Sequence, residues 1–176
     1  NLKEEIKRLS VVTGFSPRLL EKDYYLTQIL QKISEKNIKN LVFKGGTCLN
    51  KCYLGFYRLS EDLDFVLNQE MKELTKGQIK KILDELRRKM FEVLTELNMK
   101  TNKELGNGWK MLTSEGDPKI IGLEIRSNYI SSIDDSTQAI KIEIAFRKKL
   151  INPTQKRQIN HKFFNALGEP ILKELK

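Results

Sequence analysis

The chain has 176 residues and a formal net charge of +9, with 39% hydrophobic and 31% charged residues. That length suits about one domain, and the balance excludes a disordered chain; no apolar run approaches the roughly 18 residues that a membrane span needs. One His and two Cys exclude a four-ligand Cys/His zinc site and a disulfide framework, whereas the positive excess favours a polyanion, nucleic acid or nucleotide first. The opening NLKEEIKRLS has no apolar signal-peptide core, which points to the cytoplasm and to no membrane partner.

A first core helix is predicted from Ser16, an N-cap followed by Pro17, to near Asn37, with Leu19, Leu26, Ile29 and Ile33 as its apolar stripe. Leu41–Phe43 reads as a short strand ending in the Lys44-Gly45-Gly46-Thr47 turn, and a helix follows to about Tyr53 with Thr47 as its cap. Asp62–Leu67 reads as a second strand, and Ile79–Leu97 as a long amphipathic helix. The stretch from Asn98 to Pro118 shows no sustained period apart from a strand near Trp109–Leu112. Ile120–Arg126 and Ala139–Arg147 alternate cleanly and form a hairpin around a polar loop. The pattern is that of one α/β (α+β) domain with a mixed sheet flanked by helices. Helices occupy residues 1–40, the sheet and its helices 41–150, and a basic helical tail 151–176.

Asp62 and Asp64 stand two apart on a strand, so their carboxylates share a face. Such a pair is a hard-oxygen site suited to magnesium carrying phosphate. The Gly45-Gly46-Thr47 turn lets backbone N–H groups approach phosphate oxygens at a helix start. Lys44, Lys51 and Arg58 add positive charge for a triphosphate, and Ser60 orients the carboxylate loop by hydrogen bonding. The stretch is not a Walker A loop, because no Gly-Lys-Ser/Thr closes it.

Three blocks in this order, EKDYYLTQIL (Glu21–Leu30), VFKGGTCLNK (Val42–Lys51) and RLSEDLDFV (Arg58–Val66), resemble the AbiEii/AbiGii-type toxins of the nucleotidyltransferase superfamily. The resemblance implies a polymerase-β-like fold, transfer of a nucleotide from an NTP to an acceptor such as the 3′ end of tRNA, and a cognate antitoxin. Gly46-Thr47-x-x-x-Lys51 matches the family's nucleotide turn, and Asp62 and Asp64 fall on its metal pair. The superfamily adds a third carboxylate from a neighbouring strand, for which Glu143 is the candidate and Glu124 the competitor. The expected chemistry is two-metal phosphoryl transfer, with Asp62, Asp64 and Glu143 holding the two Mg²⁺ and Lys51 assisting. Family members carry a later helical part with no clear match before Lys176, so the chain is expected to be truncated at its C-terminal end.

The basic residues Arg147, Lys148, Lys149, Lys156, Arg157 and Lys162 fall in a stretch without Asp or Glu, a track for an RNA backbone. His161, Trp109 and the Tyr24/Tyr25 pair read as structural, and Cys48 and Cys52 as small packing residues. Glu21, Lys22 and Asp23 match a family block with no role beyond a helix-surface charge cluster within reach of the Arg58 loop. The alternative function is a catalytically silent RNA- or antitoxin-binding domain. The two readings differ in whether Asp62, Asp64 and a third acid converge beside the glycine turn.

Overall fold

Alternation sorts the central strand residues onto two faces, and α2 and α4 pack on the apolar one. The computed structural model describes residues 1–55, 58–70, 74–101, 108–147 and 153–163. Its elements are α1 (Leu2–Thr13), α2 (Pro17–Glu35), β1 (Leu41–Lys44), α3 (Gly45–Leu49), β2 (Asp62–Glu70), α4 (Lys76–Glu96), β3 (Lys100–Thr101), β4 (Trp109–Ser114), β5 (Asp117–Ile130) and β6 (Thr137–Arg147). The six strands form one mixed sheet in the order β1-β2-β6-β5-β3, with β4 paired to β5. Only β2 and β6 run parallel; β1 with β2, β5 with β6, and β3 and β4 with β5 are antiparallel.

Leu63, Phe65 and Leu67 of β2, Leu123 and Ile125 of β5, and Ile140, Ile142 and Ile144 of β6 are buried on one face. They pack with Leu26, Ile29, Leu30 and Ile33 of α2 and with Leu83, Met90, Val93 and Leu94 of α4. The expected mixed sheet with helices is therefore present. Ser16 caps α2, accepting from the Leu19 N–H, and Thr75 and Gln78 form a capping box at the start of α4. The side chains expected to be structural pack accordingly. The Tyr25 ring stacks on Tyr129 at 4.0 Å, Tyr24 meets Phe163 edge-on, and the Arg87 guanidinium lies 4.6 Å from the Trp109 ring centre.

Two local expectations need correction. The helix after β1 starts at Gly45, two residues before Thr47, and Lys44 stands at its N-cap without a side-chain cap bond. Thr47 is buried instead, its Oγ1 donating to the Asp62 carbonyl at 2.6 Å. The tail is not helical over residues 153–163. It runs back over the fold: the Asn160 N–H donates to the Lys51 carbonyl at 2.9 Å. Phe163 fills a second small core with Ile6, Leu9 and Leu20. Residues 164–176, the rest of the expected helical tail, lie outside the described residues. Among the described residues, no helix is long and apolar enough to cross a membrane.

Candidate active site

The polar face of the sheet carries charges in rows, because residues paired across strands project to the same side. One row runs Lys44, Asp64, Glu143, Glu124, Lys110 across β1, β2, β6, β5 and β4. The next holds Asp62, Lys141 and Arg126. The parallel pairing of β2 with β6 thus puts Glu143 directly beside Asp64.

The glycine turn closes on this edge. Gly45 has φ +77°, a left-handed conformation that L side chains rarely adopt, and a Cβ built on it would collide with Asp64 Oδ2. A Cβ on Gly46 would meet Ser60 Oγ at 3.0 Å and the Arg58 guanidinium at 3.1 Å. The two glycines therefore let the backbone sit against Asp64, Ser60 and Arg58. Arg58 is exposed, and its own N–H donates to Asn50 Oδ1 at 3.3 Å, tying the loop to the helix it faces.

The two candidates for the third acid differ in their commitments. Glu124 is 6% exposed and held by Arg126 at 2.9 Å and by Lys110, its cross-strand partner, at 3.5 Å. Its charge is neutralised within the sheet. Glu143 and Asp64 make no ion pair with a described residue. Asp62 is paired with Lys141 at 3.2 Å. Burial pulls the Lys141 ammonium pKa down, but the Asp62 hydrogen bond and the charges of Asp62, Glu143 and Asp64 outweigh it and leave the pKa raised. Lys141 is thus the resident cation of an acidic face. Among the described residues no three His, Cys, Asp or Glu side chains are drawn together closely enough to hold a metal ion. The convergence that separates the two readings is thus not met among the described residues; what fits a hard divalent cation is the donor type of Asp62, Asp64 and Glu143, all carboxylate oxygens on one face.

Lys51 departs from its expected role. It is fully buried, its Nζ 2.9 Å from Asp23 Oδ2 and 2.8 Å from Thr27 Oγ1. The reason lies in helix spacing: Lys51 stands one turn beyond Thr47, so it shares that residue's inward face. α3 continues as a π-helical turn over Asn50–Leu54, on which Lys51 points to α2 and away from the charged face. A legible signal for its partner existed. Asp23 falls at the spacing of the apolar stripe Leu19, Leu26, Leu30 and Ile33, and a carboxylate at such a position requires a buried partner.

Of the basic track, Lys156 and Arg157 are exposed, with the Arg157 guanidinium 4.1 Å from the Tyr53 ring centre. Arg147 ends β6, and Lys148 and Lys149 lie outside the described residues. Cys48 and Cys52 are free and half-buried. A hydrogen bond from Cys48, with Arg157 and Lys51 nearby, lowers the Cys52 thiol pKa to about 7. The Cys48 thiol moves up correspondingly.

Comparison with known proteins adds the family. Two crystal structures from Helicobacter pylori resemble the chain. JHP933 does so at 19% identity and TM-score 0.46, over 77% of this chain and 47% of its own. A candidate nucleotidyltransferase does so at 20% identity and TM-score 0.43, over 76% and 47%. The chain thus spans about half the length of either. No curated protein matches it. The family model for the nucleotidyl transferase AbiEii toxin of type IV toxin–antitoxin systems matches residues 28–172. That match takes in β1, the glycine turn, Asp62, Asp64 and Glu143, and the chain belongs to the AbiEii nucleotidyl transferase toxin family.

Proposed function

We propose that this chain carries the nucleotide-transfer site of a magnesium-dependent toxin that moves a nucleotide from an NTP to an RNA acceptor, tRNA in the first instance. The observation that carries the reading is the seat of Gly45 on Asp64, with Glu143 as the register partner of Asp64. It sets a backbone turn without side chains against two acids that make no ion pair with a described residue and share only the nearby charge of Lys141.

Asp62, Asp64 and Glu143 are the residues that would hold Mg²⁺, which when bound neutralises phosphate charge and aligns the acceptor hydroxyl. The Gly45–Gly46 backbone admits the triphosphate, and exposed Lys44 and Arg58 flank it as counter-charges. The acceptor hydroxyl oxygen bonds to the α-phosphorus and gives up its proton to solvent water, the bond from that phosphorus to the bridging oxygen breaks, and pyrophosphate leaves. No protein nucleophile is needed. Lys156 and Arg157, exposed on the segment that crosses Lys51, are the proposed contacts to an RNA backbone. A cognate antitoxin is the protein partner expected of the family.

The direct test incubates the full-length protein with each labelled NTP, Mg²⁺ and total tRNA. Label should enter RNA from at least one NTP and should disappear on chelation of Mg²⁺. A protein that binds tRNA or antitoxin but transfers no label overturns the reading in favour of a silent binding domain. The glycine turn offers a finer check. Gly45→Ala forces a methyl onto Asp64, and a displacement of about 1 Å near reacting groups lowers rates about 10²-fold. Gly46→Ala meets only side-chain ends. Steady-state kinetics should show the first variant far slower than the second.

A further inference from the structure

Three consecutive residues of α2 each hold a different segment around the acidic edge. Glu21 is fully buried and accepts from Ser131 Oγ and from both the N–H and Oγ of Ser132, each at 2.6 Å. It thereby fixes the turn that opens β6, the strand of Glu143. Lys22 Nζ donates to Glu61 Oε2 at 2.6 Å, one residue before Asp62. Asp23 receives Lys51 from the turn that continues the Gly45–Gly46 helix. Successive helix residues are about 100° apart, so Glu21 and Asp23 project to nearly opposite sides. Both are buried because α2 is inserted between the β5–β6 turn and the segment after the glycines. Arg18, one turn earlier, also pairs with Asp134 of the β5–β6 turn.

We propose that Glu21-Lys22-Asp23 is a positioning hub for the transfer site, setting the spacing between the glycine turn, the Asp62–Asp64 strand and the Glu143 strand. The hub rests on the reading of that edge as the transfer site, and it gives the charge cluster of α2 a role in turnover. None of the three residues touches substrate in this arrangement; each acts through the segment it holds. Lys22 is the cleanest probe of the three, because its ion pair is the least buried, with the Lys22 side chain 17% and the Glu61 side chain 59% exposed. A pair with one partner in solvent contributes far less to global stability than the fully buried Asp23–Lys51 pair.

The experiment compares full-length wild type, Lys22→Met, Lys22→Arg and Asp64→Ala by transfer kinetics and by amide hydrogen exchange. Lys22→Met is expected to lower kcat about tenfold, with an unfolding midpoint close to wild type and faster exchange over Glu61–Asp64; Lys22→Arg should recover most of both. Wild-type turnover in Lys22→Met overturns the hub, whether or not exchange changes. Slower turnover with unchanged exchange also overturns it, since Lys22 would then act on substrate directly. An inactive wild type, or Asp64→Ala as active as wild type, instead overturns the reading of the site. The exchange arm then decides by itself whether Lys22 holds the Glu61–Asp64 segment.

Discussion

Replacing Asp64 by Ala should lower nucleotide transfer by about 10³-fold or more, with little change in stability. Charge stabilisation by a metal site supplies several kcal/mol at the transition state, and each 1.36 kcal/mol is tenfold in rate. The small structural effect follows from what Asp64 does in the fold. It makes no ion pair with a described residue, and its removal orphans no described cation. Glu124→Gln is the contrasting variant. It removes the charge that Lys110 and Arg126 share, so it should register in denaturant unfolding before it registers in turnover. Parallel measurement of kcat/KM and unfolding midpoints for both variants checks the assignment. Equal activity of Asp64→Ala and wild type would remove Asp64 from the site, and a dead but stable Glu124→Gln would exchange the roles of the two acids.

The faces of the sheet were legible because alternation is a local property: Ile140, Ile142 and Ile144 on one side dictate that Lys141 and Glu143 lie on the other. The parallel pairing of β2 with β6, which makes Glu143 the neighbour of Asp64, depends on strand order. Nothing within either strand specifies it. The glycine turn was legible as a turn, but its reason was not. The close approach of Gly45 to Asp64 joins the start of α3 to β2, and a sequence shows only that a Cβ is absent. Thr47 illustrates the opposite failure. A hydroxyl near a helix start has two competing uses, and the burial that favours the Asp62 carbonyl over a cap arises only when β2 packs beside α3. Once Thr47 faces inward, helix periodicity carries Lys51 inward with it.

The largest expected loss of stability follows from that last point. Lys51→Met should destabilise the fold by about 3–5 kcal/mol, because it leaves the buried Asp23 carboxylate without its cation. The side chains of Lys51 and Asp23 are 0% and 1% exposed. Burial raises the Asp23 pKa and lowers that of Lys51, and their mutual attraction opposes both shifts. With the lysine gone, only the burial effect remains on Asp23, so its folded-state pKa lies still further above 3.8. A carboxyl raised in the folded state contributes its stability below the unfolded pKa and loses it as pH rises through the folded value. The deficit of Lys51→Met relative to wild type should therefore be greatest near neutrality and shrink as pH falls toward 3.8. Urea unfolding of both proteins at pH 7 and at pH 5 measures this directly. A deficit independent of pH would mean that Met fills the space poorly and that charge is not the cause. The double variant Asp23→Leu/Lys51→Met removes both charges from the interior and should regain most of the lost stability. Under the hub its turnover should stay below wild type, because the link from α2 to the segment after the glycines then rests on apolar contact without direction.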